Sequence, residues 1–474
     1  MPAGRSLTLR ALVAIAALAC AGAATPRAHA AVTRAFTTRP DLQPPVVNVR
    51  ATSPGLAPGY LALAPKQGPG QAGPLLVDDT GEPVWFRPLP RGQAATDFRV
   101  QRYRGRPVLT WWQGTIGGGS GEGQGIIADS SYRIVKRVRA PRGYTLDLHE
   151  FTLSRRGTAL VTIYHPVRRD LRSAGGRRNG VVIDGIVEEI DVATGRVRFQ
   201  WHSLDHVALS ESYASARDRS RPGFDYFHVN SVGLDSDGDY LVSARNTCAI
   251  YKIDRRTGRI VWRLGGKRSS FRMGPGAAFA FQHDARREPD GTITLFDNGR
   301  ARSRALALAL DMHAMTATVA RELPHPGGIF ARSQGDVELQ PNGDMLVGWG
   351  SARRFSEFDG TGRMLFDASL AGGYDTYRVY RVAWEGRPTT PPAVAAAPGT
   401  DGGTVVYASW SGATQVARWV VLAGSDPTAL APVATAPRTG FETTIALPSP
   451  APYVAVQAQD AFGATLGTSP AAKG

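Results

Sequence analysis

Apolar and polar residues alternate in short runs along most of the chain, and Gly, Asp and Asn interrupt the runs at regular places. That pattern predicts short half-buried strands joined by tight turns rather than helices. Five strand-turn-strand units stand out. They are Tyr103-Arg-Gly-Arg-Pro-Val-Leu-Thr-Trp, Ser154-Arg-Arg-Gly-Thr-Ala-Leu-Val-Thr, Asp235-Ser-Asp-Gly-Asp-Tyr-Leu-Val-Ser, Glu288-Pro-Asp-Gly-Thr-Ile-Thr-Leu-Phe and Gln340-Pro-Asn-Gly-Asp-Met-Leu-Val-Gly. Their turn glycines are Gly105, Gly157, Gly238, Gly291 and Gly343, at intervals of 52, 81, 53 and 52. Tyr60-Leu-Ala-Leu-Ala reads as a degenerate first copy.

A second signature alternates with the first: hydrophobic-Asp-x-x-Thr-Gly-x-hydrophobic-x-aromatic. It occurs at Val77 to Trp85, Ile190 to Phe199, Ile253 to Trp262 and, in the form Asp359-Gly-Thr-Gly, at Phe358 to Phe366. Each copy predicts a hairpin. Two hairpins per period of about 50 make one four-stranded blade, and six copies predict an all-β, six-bladed β-propeller over 31–385. The long interval adds an insertion between His165 and Phe227, rich in Arg and expected to fold as a loop over one mouth of the channel. Residues 386–399 are rich in Pro and Ala and predict a linker. Residues 400–474 alternate again and predict a small C-terminal β-sandwich of fibronectin type III style.

The N-terminus departs from this pattern. Residues 1–30 have a basic start, an apolar stretch from Leu12 to Cys20 and a small-x-small end at Ala28-His-Ala30. That is the form of a cleavable signal peptide and predicts a secreted or extracytoplasmic protein, with a lipoprotein anchored through Cys20 as the lesser alternative. The apolar stretch is too short to span a membrane as a mature helix. After cleavage Cys248 is the remaining cysteine, so no internal disulfide can form, and it is expected to be buried and inert.

The formal net charge is +15, of which Arg5, Arg10 and Arg27 leave with the signal. The excess suits a solvated Arg-rich surface or attraction for anionic substrates. No basic helix or aromatic-basic module points to nucleic acid.

Candidate chemistry follows from aligning the repeats on their turn glycines. His149 lies 8 before Gly157, His228 10 before Gly238, and His283 8 before Gly291. In a propeller the first strand of each blade lines the channel, so these three imidazoles are expected to converge. Arg245 and Asn246 follow Gly238, Asn298 follows Gly291, and Tyr164 and Trp112 take corresponding places in two other repeats. With Asn230 they predict a channel mouth of imidazoles, amides, one guanidinium and aromatics. Trp85 and Trp262 are expected to pack between blades.

Two chemistries suit such a set. Three imidazoles can hold zinc with an open position, which would make a metal-dependent hydrolase or lyase. Alternatively, a neutral imidazole attacks, Arg and Asn bind shifting charge, and a further histidine hands a proton to a leaving phenolate. A non-catalytic propeller that binds anionic glycans or phenolics is the third possibility.

The series Leu146-Asp-Leu-His-Glu-Phe, Trp201-His-Ser-Leu-Asp-His-Val, Asp225-Tyr-Phe-His-Val-Asn-Ser-Val, Leu241-Val-Ser-Ala-Arg-Asn-Thr, Ile260-Val-Trp-Arg-Leu-Gly-Gly-Lys, Phe281-Gln-His-Asp-Ala-Arg and Leu295-Phe-Asp-Asn-Gly resembles a divergent secreted branch of the bacterial arylsulfotransferases, over roughly 40–385. The resemblance implies sulfuryl transfer from an aryl sulfate to a phenol, without a nucleotide donor, a metal or any other cofactor. It implies a ping-pong course through a sulfohistidine at His283. His228, Asn230 and Arg245 would hold sulfuryl oxygens, and His149 would assist the leaving or attacking oxygen. The expected partners are small aryl sulfates and phenols.

Overall fold

Glycine turns and short alternating runs do become strands. The protein is described by a computed structural model over residues 31–141, 143–218 and 223–474. The chain is all-β, with 48% strand and 3% helix. The signal-peptide expectation for 1–30 lies outside the described residues. Among the described residues no helix is long and apolar enough to cross a membrane.

Six antiparallel sheets with four-stranded cores follow one another along the chain. All five glycine-centred units are the turns between the first two strands of the second to sixth sheets. Gly105, Gly157, Gly238, Gly291 and Gly343 have φ of +76, +75, +90, +86 and +88, a region that residues with a Cβ avoid. The Asp-x-x-Thr-Gly signature forms the turn between the last two strands. In it the aspartate caps the turn: Asp191 accepts from the Thr194 N–H and hydroxyl at 2.9 Å, and Asp254 accepts the same pair from Thr257 at 2.7 and 2.8 Å. This local closure explains why the Thr recurs.

The first sheet is completed from the far end of the chain. Tyr60–Leu63 pairs with Val379–Val382, so the degenerate first copy lacks an inner strand that arrives over 300 residues later. Each sheet touches the next, and the sixth touches the first through Met345–Gly348 and Val379–Val382, which closes a ring. The sixth sheet is widened by Val47–Thr52.

The inner strands converge on a buried ionic cluster. Arg378 meets Asp97 at 2.8 Å, Asp284 at 3.2 Å and Glu150 at 3.3 Å. Arg286 meets Glu150 and Asp284 at 2.6 Å, and Arg99 meets Glu150 at 3.0 Å. Three guanidinium groups thus face three carboxylates, and the six groups come from four sheets. Burial alone would raise the Glu150 carboxyl, but Arg286, Arg378 and Arg99 outweigh it and hold the group well below the usual carboxylate range.

Apolar packing fills the space between adjacent sheets. Trp85 and Trp262 are buried there as expected, and Trp85 stacks on Tyr132 with centroids 4.7 Å apart. Cys248 is buried, and burial raises its thiol above the usual range.

Two expectations change. The 165–227 insertion is in large part not a loop. Thr158–Arg169 and Gly180–Asp191 run as one long hairpin, paired from Thr158 with Asp191 to Arg169 with Gly180, and Ser203–His206 forms a short helix. Val181, Val182 and Ile183 continue the β-branched run, so the ladder extends past the blade. Ala393–Pro398, inside the stretch read as linker, is also a strand. It pairs antiparallel with Thr404–Ser409. Together with Glu442–Leu447 these form one C-terminal sheet, and a second contains Arg418–Gly424, Ala431–Pro437, Tyr453–Gln459 and Thr465–Thr468. Their apolar residues share one core around Trp419, Val421 and Val456.

Candidate active site

Three of the sequence-predicted residues open onto one cavity by the same device. His149, His228 and His283 stand at the starts of the inner strands of the third, fourth and fifth sheets. All are buried, at 3%, 6% and 1% exposure, and all line a cavity of about 480 Å³ together with Arg245. His228 adopts φ +55, a left-handed conformation that residues with a Cβ rarely take. The ladder is irregular at equivalent points of two inner strands, between Val229 and Ser231 and between His283 and Arg286. Bulges of this kind re-aim side chains at sites.

Each imidazole is held at Nδ1 by a side-chain oxygen. For His149 the partner is Asp147, for His228 it is Asp225, and for His283 it is the Asn298 Oδ1 at 2.6 Å. The Asn298 amide is itself oriented, because its Nδ2 donates to the carbonyls of Ala331 at 2.9 Å and Gln334 at 3.0 Å. Its oxygen must therefore face His283 and can only accept. Nδ1 of His283 then carries the proton, and Nε2 carries the lone pair. The Gln334 backbone N–H donates a long hydrogen bond to that lone pair at 3.3 Å.

The partners differ in charge: carboxylates back His149 and His228, and an amide backs His283. A carboxylate favours the imidazolium form far more than a neutral amide does. Burial, then the nearby Arg245 charge, pushes His283 well below the usual histidine range, so it is a neutral imidazole at pH 7. Burial also lowers His228, but Asp225 opposes it. The rings are close: His149 and His228 have centroids 5.0 Å apart, and Tyr377 stands 5.5 Å from His149 and 6.4 Å from His283.

Arg245 lies over the Phe281 ring at 4.9 Å and donates to Asn246 Oδ1 at 2.8 Å and to the Arg332 carbonyl at 3.1 Å. Lys66 and Arg353 add two more cations to the cavity wall, and Asp375 is the acid on it. That balance favours an anion.

The remaining predicted residues serve the wall rather than form it. Asn246 takes Arg245 on one side and donates to the Asp225 carbonyl at 2.6 Å on the other. Tyr164 stacks on His149 at 5.3 Å, and its hydroxyl donates to the Val229 carbonyl. Asn298, expected to bind substrate, instead sets the tautomer of His283. Asn230 is fully buried, and its Nδ2 donates to the Gln282 carbonyl at 2.7 Å, next to His283, so it fixes the strand beneath the wall. Trp112 is a correction. It is fully buried in the packing between the second and third sheets, under Gly121 and Gly123, and its indole N–H donates to the Leu146 carbonyl at 2.9 Å. It is too far inside the sheet packing to meet a ligand.

Sequence reasoning did not find Lys66, Gln334, Asp375, Arg353, Tyr377 or the glycine hairpin tip Gly117 to Gly119, all on the cavity wall. Asp147 and Asp225 had a signal: each precedes its histidine by two or three residues. Lys66 and Asp375 had none, because their contact spans 309 residues. Among the described residues no three His, Cys, Asp or Glu side chains stand in metal-holding geometry.

Solved structures of similar course include a protein of unknown function from Bacteroides caccae, with 14% identity, 69% of this chain and 100% of that chain covered, and a TM-score of 0.43. Others are a periplasmic gluconolactonase from Pseudomonas aeruginosa, with 13% identity, 88% and 96% covered and a TM-score of 0.36, and a virginiamycin B lyase from Staphylococcus aureus, with 9% identity, 77% and 97% covered and a TM-score of 0.36. No curated protein matches the chain. The family model described as Arylsulfotransferase (ASST) matches residues 99–371, a span that contains all three cavity histidines and Arg245. The chain belongs to the arylsulfotransferase family.

Proposed function

We propose that this protein moves a sulfuryl group from an aryl sulfate ester to a phenolic acceptor, in two steps through a sulfohistidine at His283. The reading includes a six-bladed β-propeller as the catalytic body, a fibronectin type III-like sandwich at the C-terminus, and secretion directed by residues 1–30.

The observation that carries it is the state of His283. A buried neutral imidazole, with Nδ1–H committed to Asn298, offers Nε2 as a nucleophile beside a guanidinium. An aryl sulfate is a monoanion, and Arg245 is the cation best placed to receive it. The sulfuryl oxygens keep their charge through a loose transition state, so fixed donors around them lower the barrier chiefly by positioning and electrostatics. His228 and His149, each held at Nδ1 by a carboxylate, line the same cavity and flank the sulfuryl group there. Asn230, Asn246 and Tyr164 hold these groups in place.

The test is incubation with 4-nitrophenyl sulfate and a second phenol. The expected result is release of 4-nitrophenol, appearance of the new aryl sulfate, and a sulfated enzyme trapped when the acceptor is left out. His283→Ala should abolish all three. Failure of the unaltered enzyme to release 4-nitrophenol, or release that survives His283→Ala, refutes the reading.

A further inference from the structure

One ammonium group on the cavity wall has no part in the scheme so far. Lys66 is 3% exposed, and its Nζ donates to Asp375 Oδ1 at 2.5 Å and to Gln334 Oε1 at 2.8 Å. The triangle is closed by the Gln334 amide, which donates to Asp375 Oδ2 at 2.9 Å. Two of the three ammonium protons are thereby spoken for, and the third remains for the cavity. Gln334 also touches the nucleophile through its backbone N–H, so Lys66 stands one residue away from His283 Nε2.

The position of Lys66 is particular. Lys66, Gln67 and Ile116 line both the histidine cavity and an adjoining groove of about 600 Å³ formed with Gly68, Leu89 and Pro90. A sulfuryl group among the imidazoles with its aryl ring in the groove would place the bridging oxygen at the junction. That oxygen needs a proton when it leaves. The histidines are poor sources: His149 and His228 commit Nδ1 to a carboxylate, so Nε2 has a proton to give only as imidazolium. An ammonium always has one.

On the sulfuryl-transfer reading proposed above, we infer that Lys66 is a catalytic residue that contacts the aryl oxygen, protonates it as it leaves and takes the proton back from the acceptor. In the first step the His283 Nε2 lone pair forms the N–S bond. The S–O bond to the aryl group breaks, and its electron pair goes to the aryl oxygen. A Lys66 N–H passes its proton to that oxygen, so a phenol departs and Lys66 becomes a neutral amine. In the second step the acceptor phenol yields its proton to Lys66 as its oxygen bonds to sulfur, and the N–S electron pair returns to Nε2. Burial lowers the lysine below its ordinary value against the pull of Asp375, which brings it toward the phenols it must exchange protons with.

The experiment compares donors that differ in need. Phenyl sulfate expels a weakly acidic phenol that requires a proton, whereas 4-nitrophenyl sulfate expels one that does not. Lys66→Met should cut kcat on phenyl sulfate by ~10²–10⁴-fold and on 4-nitrophenyl sulfate by no more than a few-fold. Lys66→Arg keeps the charge and the Asp375 pair but cannot give up its proton, so it should show the same split. Equal losses on both donors, or no loss, overturn the inference. A binding measurement separates it from the parent reading. In a His283→Ala background, bound 4-nitrophenol should absorb as the phenolate when Lys66 is present and shift toward the neutral phenol with Lys66→Met. If the unaltered enzyme transfers nothing, the sulfuryl reading and the proton-transfer role both fail, and the spectrum still decides whether Lys66 meets an aryl oxygen. An unchanged spectrum overturns that contact.

Discussion

Asn298 should control whether His283 can attack at all. Its Oδ1 lies 2.6 Å from His283 Nδ1, and its Nδ2 is tied to the Ala331 and Gln334 carbonyls. Replacing it by Asp puts a carboxylate where a neutral acceptor stands. With charges centred roughly 4 Å apart and an effective dielectric near 20, the attraction to an imidazolium is about 4 kcal/mol, or about 3 pKa units. In the natural protein His283 sits well below 6.5, so the lone pair is available throughout the neutral range. In Asn298→Asp the value rises, and the lone pair becomes available only at higher pH. The rate of enzyme sulfation, followed by intact mass in single turnovers without acceptor, should therefore acquire a rising limb displaced upward by about 2–3 units. Asn298→Ala removes the acceptor without adding charge. The Nδ1–H is then left buried without a partner, at a cost of about 1–3 kcal/mol, and the other tautomer competes. Sulfation should fall by ~10–10² at every pH, in the direction of the ~10⁴ loss seen when a catalytic histidine takes the wrong tautomer. Thermal melts of both variants check that the fold is kept. An Asn298→Asp profile that coincides with that of the natural protein, in a folded variant, would refute the reasoning.

Two further outcomes concern the frame. Arg378→Met leaves Asp97, Glu150 and Asp284 facing only Arg99 and Arg286, so urea unfolding should show a loss of about 3–5 kcal/mol. Burial pushes Glu338 up to about 7, against hydrogen bonds from the Arg381 N–H and Gln340. A raised carboxyl is favoured protonated in the fold, so stability falls as pH rises from the unfolded value toward 7. Glu338→Gln should therefore gain ~1–2 kcal/mol relative to the natural protein at pH 8, with little difference at pH 4, in paired urea titrations. A gain of the same size at both pH values would exclude ionisation as its source.

The chain by itself determined the repeat. Each glycine turn and each Asp-x-x-Thr-Gly turn is closed by residues within five positions, so its physics is local and can be read without tertiary knowledge. The same register placed His149, His228 and His283 at equivalent strand starts, and Arg245 just past a turn. What surrounds them was decided in three dimensions. The amide and carboxylate partners fix Nδ1 of each imidazole, and of these only Asp147 and Asp225 are sequence neighbours of their histidines. Trp112 and Asn230 occupy sheet positions consistent with a site, yet lie buried under the wall, because strand alternation gives a side without saying how a bulge turns it. The missing inner strand of the first sheet, and with it the pairing of Lys66 with Asp375, came from the closure of the ring. Ring closure joins residues about 300 apart, and hydrogen-bonded ends carry no mark of their distant partner. Only the folded chain could bring that ammonium to the nucleophile.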